Sequence, residues 1–177
     1  NPIPHSGNIV FVTDTSQLAW VDVEDPDRVV AGVAVSGLGS QALRTLDYRP
    51  ATGELYGFSE YYLYRIDPET GIALQVGNYL TGVPAPQIDI DVSPVADRVR
   101  LVSSDEDNLR LNPLTGQPEF DTDLSAGDVA GIAYANNRAN ATSTTLFGID
   151  ITHDQLVRIG GVDGTPSPNG GVVTAIG

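Results

Sequence analysis

"DYRPATGELYGFSEYYLYRIDPETG", residues 47–71, turns the chain twice with nearly the same four letters, Pro-Ala-Thr-Gly at 50–53 and Pro-Glu-Thr-Gly at 68–71. Between these corners lie "ELYGF" and "YLYRI", which alternate at period two and carry aromatic side chains, the pattern of half-buried strands. Proline presets φ for the first central position of a turn, and glycine takes the left-handed conformation that closes a short hairpin loop. A third corner, PLTG, stands at 113–116, and a related one, PVAD, at 94–97. Each is expected to fold the chain back on itself.

Working outward, the pattern repeats. Leu18, Leu63, Leu109 and Leu156 each follow a polar turn and open an alternating run, at spacings of 45, 46 and 47 residues. The unit has four strands, written most fully as "TLDYRP", "ELYGFS", "YLYRID" and "ALQVGNYL". Four antiparallel strands in a repeat of this length predict an all-β, β-propeller-like fold. A β-sandwich or a solenoid is the alternative, but a sandwich leaves the regular period unexplained. The expected organisation is one domain, 1–177, with units at about 9–40, 41–84, 85–128 and 129–177. No long window shows a helical period, so helix should be minor. "NPIPHSGN" does not resemble the strand that opens the other units, so the first blade is expected to be incomplete, with fifteen strands in place of sixteen. The N-terminal segment, a partner, or further chain would then complete the ring, because open sheet edges pair with other chains.

Composition narrows the chemistry. Of 177 residues, 41% are hydrophobic, enough for a core, while the net charge is −14. All nine basic residues are Arg, and Cys and Met are absent, which excludes disulfides, zinc–thiolate sites and a cysteine nucleophile. An acidic surface disfavours nucleic acid and anionic lipid, and no apolar run is long enough for a membrane helix. A start at Asn1 without Met suits a mature secreted chain, so a secreted, extracellular or cell-surface location is expected.

Four segments, "RPATGELYG" at 49–57, "SPVADRVRLVS" at 93–103, "NLRLNPLTG" at 108–116 and "ATSTTLFGID" at 141–150, resemble in sequence, order and spacing the secreted bacterial family known as domain of unknown function 4394. The resemblance spans roughly residues 9–177. It implies a propeller-like repeat and export from the cell, and it brings no activity and no catalytic residues. Chains of this kind often continue for another repeat-like segment beyond the point where this sequence stops.

Enzyme motifs are missing: there is no G-x-S-x-G, H-E-x-x-H or phosphate loop, and "SGLGS" at 36–40 reads as a loop between units. His5 sits in a Pro-rich terminus and His153 in the turn "DITHDQ", where turn chemistry accounts for it. Carboxylates are the richer signal. "SSDEDN" gathers Asp105, Asp107 and Asn108 into one hairpin turn, and "DTDLSAGD" places Asp121, Asp123 and Asp128 within eight residues. Such clusters offer the oxygens that Ca²⁺ takes, although neither fits an EF-hand loop and Asp and Asn favour turns in any case. Asp47 and Asp91 match in position, each three residues before its corner proline, and are expected to line the channel; Ala133 stands at the third such position. Tyr61 and Tyr62 fall at a turn, where exposed rings would stack on a sugar or anchor a peptide, if they do not pack on a neighbouring blade.

Three functions fit these residues. The first is a non-enzymatic extracellular structural or interaction module that self-associates by edge or strand pairing, into a filament where the contact does not close. The second is a propeller binding a glycan or peptide, with Ca²⁺ as its cofactor if it has one. The third is a hydrolase or lyase built on paired carboxylates, which would need two of them in one cleft. The sequence ranks them in that order.

Overall fold

A computed structural model describes residues 8–83, 85–125 and 127–177. The segment 1–7, with His5 and whatever it adds to the first unit, lies outside the described residues. Among the described residues fifteen strands form four antiparallel sheets. The first holds β1 (Asn8–Val12), β2 (Gln17–Asp22) and β3 (Asp25–Ala34). The second holds β4 (Thr45–Tyr48), β5 (Leu55–Phe58), β6 (Leu63–Ile66) and β7 (Ala73–Val76). The third holds β8 (Ile88–Val92), β9 (Val99–Ser103), β10 (Asn108–Leu111) and β11 (Pro118–Phe120). The fourth holds β12 (Val129–Tyr134), β13 (Leu146–Asp150), β14 (Gln155–Ile159) and β15 (Val173–Ala175). Every strand pairs with its neighbour in sequence, and the sheets are the blades of a β-propeller. Among the described residues helix is limited to two 3₁₀ turns, Val162–Gly164 and Pro168–Gly170.

The repeated leucines fall on β2, β6, β10 and β14, so these are equivalent strands. By that register β1 matches β5, β9 and β13, and among the described residues the first blade has three strands where the others have four. The inner strands β4, β8 and β12 pack side by side, and β1, β5 and β9 each lean on the inner strand of the next blade. No comparable packing joins β12 to β1 among the described residues.

The four corners share one geometry. In each, the amide of the last corner residue donates to the carbonyl just before the proline: Gly53 to Arg49, Gly71 to Asp67, Gly116 to Asn112, and Asp97 to Ser93. The closing residue has positive φ every time, and Asp97, at 51°, does what glycine does in the other three. The same device therefore serves two places: the β4–β5 and β8–β9 hairpins, and the β6–β7 and β10–β11 hairpins.

Apolar residues fill the seams between blades rather than one central core. Leu18 and Trp20 of the first blade meet Leu55, Tyr64 and Ile66 of the second. Tyr56, Phe58 and Leu63 meet Ile90, Val92, Leu101 and Leu109 of the third. Val102 and Leu124 meet Ile132, Leu146 and Val157 of the fourth. Each fully buried side chain contributes about 1.5–3 kcal/mol by leaving water, so the seams hold the fold together.

Candidate functional site

Polar side chains on the inner strands tie each blade to the next. Asp47 on β4 accepts from the Val92 amide on β8 at 2.7 Å, and Thr45 Oγ1 lies 3.5 Å from the Ile90 amide. One blade later Asp89 accepts from the Ile132 amide on β12 at 2.8 Å, and Asp91 meets the Tyr134 amide. Thr45 also donates to Asp89. Asp47 and Asp91 thus act as staples between neighbouring inner strands, each holding a backbone amide of the next blade rather than each other across a channel. At the same positions β12 carries Gly131 and Ala133, so the series ends at the fourth blade.

These carboxyls are buried against apolar seams. Burial, with the Asp47 charge beside it, pushes Asp91 up to about 9, and one of its oxygens, Oδ1, has no hydrogen-bond partner. Burial likewise raises Asp47 to about 6, against the pull of its bonds to the Val92 and Tyr48 amides. A neutral Asp91 removes the repulsion that two adjacent carboxylates would otherwise hold.

Register explains a second row. Across the third blade, Asp91 stands opposite Arg100, Arg100 opposite Arg110, and Arg110 opposite Glu119. The matching row in the second blade is Asp47, Tyr56, Arg65 and Leu74, and in the fourth Ala133, Phe147, Arg158 and Thr174. Arginine therefore occupies the place where an aromatic stands in the other two blades. Arg100 is 2% exposed. Its guanidinium donates to Asp121 at 2.6 Å, Asn108 at 2.7 Å and Asn169 at 2.6 Å, and its Nε lies 3.3 Å from the Tyr134 hydroxyl. Arg110 grips the two Asp121 oxygens, each at 2.8 Å. Burial alone would raise Asp121, but its bonds to both guanidiniums hold it below the usual carboxylate range. Above this network, between the third and fourth blades, lies a cleft of about 220 Å³ lined by Arg100, Arg110, Tyr134, Asn169, Asp163 and a rim of Ser and Thr.

The two acidic stretches come apart. Asp121 and Asn108 serve Arg100; Asn108 also donates through its amide to the Thr122 and Pro168 carbonyls. Asp128 accepts from the Thr152 hydroxyl at 2.6 Å. Asp107 accepts from Ser103 Oγ at 2.6 Å, which also receives the amides of Asp105 and Asp107. Burial first, and then the charges of Asp123 and Asp105, raise Asp107, so these three carboxyls do lie near one another. Among the described residues no three acidic or imidazole side chains are gathered closely enough to hold a metal ion. His153 Nδ1 lies 2.8 Å from Asp150, which also caps the turn through the Thr152 and His153 amides.

Tyr61 and Tyr62 do meet at the β5–β6 turn, together with Tyr79, which sequence reading missed because it stands alone in the loop after β7. Tyr61 stacks on Tyr79 at 4.7 Å and 20°, and Tyr62 meets Tyr79 edge-on at 5.5 Å. Tyr79 is 49% exposed. The Glu60 side chain bonded to Tyr61 is the main cause of its phenol rising to about 12.

Four blades, carboxylate staples and a buried arginine centre define an acidic β-propeller module. The chain belongs to the family described as domain of unknown function (DUF4394), whose model matches residues 17–177. In fold it is similar to part of the tricorn protease, with a TM-score of 0.52 at 13% identity over 90% of this chain. A protein from Bacteroides uniformis ATCC 8492, provisionally named as a 6-phosphogluconolactonase, aligns over 98% of the chain at 14% identity, and its TM-score of 0.41 carries no argument. The chain spans 16% of the first of these proteins and 61% of the second. At such identities the likeness extends to the fold alone. No curated protein matches the chain.

Proposed function

We propose that the domain works outside the cell as a non-enzymatic structural and interaction module, associating head to tail with further copies of itself. One observation carries this reading. The outward face of the fourth blade occupies the register that the next blade covers in the second and third, and apart from Arg158 and Thr174 it is apolar. There Ile149 is 48% exposed, Leu156 42% and Ile176 44%, with Phe147 beside them. At the other end the first blade presents Ile9, Phe11 and Val29 on the face turned away from the second. The two faces are of the kinds that already meet at three seams within the chain. A contact between copies would repeat that seam and, being heterologous, would propagate unless it closes.

Light scattering across a concentration series tests the reading, with Leu156→Lys to block one face and Phe11→Lys to block the other. The wild type should assemble and each variant alone should stay monomeric, while an equal mixture of the two should give a dimer and stop. A wild type that remains monomeric at every concentration would overturn the reading.

The tyrosine cluster favours a second reading, recognition of a glycan or peptide at the loop end of the second blade. Rings held edge-on and stacked leave an outer face for a sugar. Arrays of immobilised glycans, probed with and without Ca²⁺ and with Tyr79→Ala, would detect it. Binding that is indifferent to Tyr79 would sink it.

A further inference from the structure

The outward face of the fourth blade carries a hollow at a definite place. Where β4 has Thr45 and Asp47, and β8 has Asp89 and Asp91, β12 has Gly131 and Ala133. With those side chains missing, a hollow of about 230 Å³ opens, walled by Phe147, Ile149 and Leu156. Its one polar lining residue is Asp89, whose two oxygens already accept from the Thr45 hydroxyl and the Ile132 amide. The hollow therefore calls for an apolar group. We propose that it is the socket for Phe11 of a second copy, so that copies meet in one fixed register. The inference rests on the head-to-tail association argued above and names the residues that would set it.

The seam between the second and third blades supplies the register. There Tyr56, Phe58 and Leu63 pack with Val99 and Leu101. Tyr56 stands opposite Asp47 as Phe147 stands opposite Ala133, and Phe58 opposite Leu63 as Ile149 opposite Leu156. Phe147, Ile149 and Leu156 thus repeat one half of that seam. The other half recurs on β1. The turn after β1 closes with the Thr13 amide donating to the Gln17 carbonyl, as the turn after β9 closes with Ser103 donating to Asp107. Counted back from these turns, Phe11 matches Leu101 and Ile9 matches Val99. Val99 and Leu101 are buried against the second blade, whereas Ile9 is 53% exposed and Phe11 39%. Phe11 is larger than its counterpart Leu101, and Gly131 and Ala133 are smaller than theirs, so the excess at one end answers the deficit at the other. Apolar cavities of about 150 Å³ take a benzene ring, so the hollow has room for this phenyl group.

The test is an exchange of sizes, with association constants measured by sedimentation equilibrium on the full chain. Ala133→Phe fills the hollow, and Phe11→Ala removes the group that enters it. Both positions are exposed in the single chain, so thermal unfolding of the subunit should stay as in the wild type. Each change alone should weaken association at least tenfold, and Ala133→Leu, a smaller filling, should weaken it less than Ala133→Phe. The chain carrying both Ala133→Phe and Phe11→Ala should recover to within about threefold of the wild type, because the ring then enters from the opposite side. Ile72→Ala, at an exposed apolar position on the second blade, should leave association unchanged. If the wild type associates but the double variant does no better than Ala133→Phe alone, the socket is refuted while head-to-tail association stands. A wild type that stays monomeric at every concentration would overturn both.

Discussion

At Asp91 the fold keeps a carboxyl group where ionisation is opposed by both burial and a neighbouring carboxylate. A group whose folded pKa lies above its unfolded value contributes stability below the unfolded pKa and loses it as pH rises toward the folded one. The window therefore opens near pH 4 and extends to about 9. Asp91→Asn should raise the melting temperature more at pH 8 than at pH 5, and an equal gain at both would refute the assignment. Asp97 has the opposite sign. Its bidentate pair with Arg49, at 2.7 and 2.5 Å, joins the corners of the second and third blades and lowers its pKa. That stability is present above the ordinary carboxylate value and is lost as the medium is acidified through the folded pKa. Because the Asp97 side chain is 40% exposed, Asp97→Asn should cost only about 1 kcal/mol, measured by urea denaturation at pH 7. Little of this residue-level chemistry was legible in the sequence. In "VRLVS" Arg100 sits where alternation signals a solvent face, yet the next blade covers that face, so its polarity marks a buried network. The staples were equally hidden, because each joins positions 43 to 45 residues apart.

Elements were far more legible. The corners, the alternation and the 45–47-residue period all follow from local rules of turn and strand, and they place the four blades without reference to tertiary contacts. Turn chemistry fails to show what the corners touch. Gly116 closes the β10–β11 hairpin at φ 67°, and a Cβ there would lie 2.4 Å from the Val76 carbonyl oxygen of the neighbouring blade. Left-handed backbone and a backbone clash act together at this point. Gly116→Ala should therefore destabilise the fold by about 2 kcal/mol or more, read from equilibrium unfolding. Gly53 closes the same type of corner at φ 73° but meets nothing within 4 Å, so Gly53→Ala should lose less. Equal losses at the two sites would show that the close approach between blades contributes nothing.

At the scale of the whole molecule, a stack in which each blade touches only its neighbours stores its stability in the seams. The carboxylate staples add a direction to that stack. Threonine and aspartate of one inner strand hold amides of the next, from the second blade to the third and from the third to the fourth; among the described residues no inner-strand side chain ties the first blade to the second, where the Ser16 hydroxyl instead accepts from the Leu43 amide ahead of β4. The molecule therefore has a weak end and a strong interior. Opening should begin at the first blade and advance as a front toward the third, so amide deuterium uptake should be fastest in β1–β3, with β8 and β9 exchanging last. A tether pulled from each terminus in turn would feel the same asymmetry, yielding at lower force from the N-terminal side, as a zipper opens only from the end where its slider is not seated.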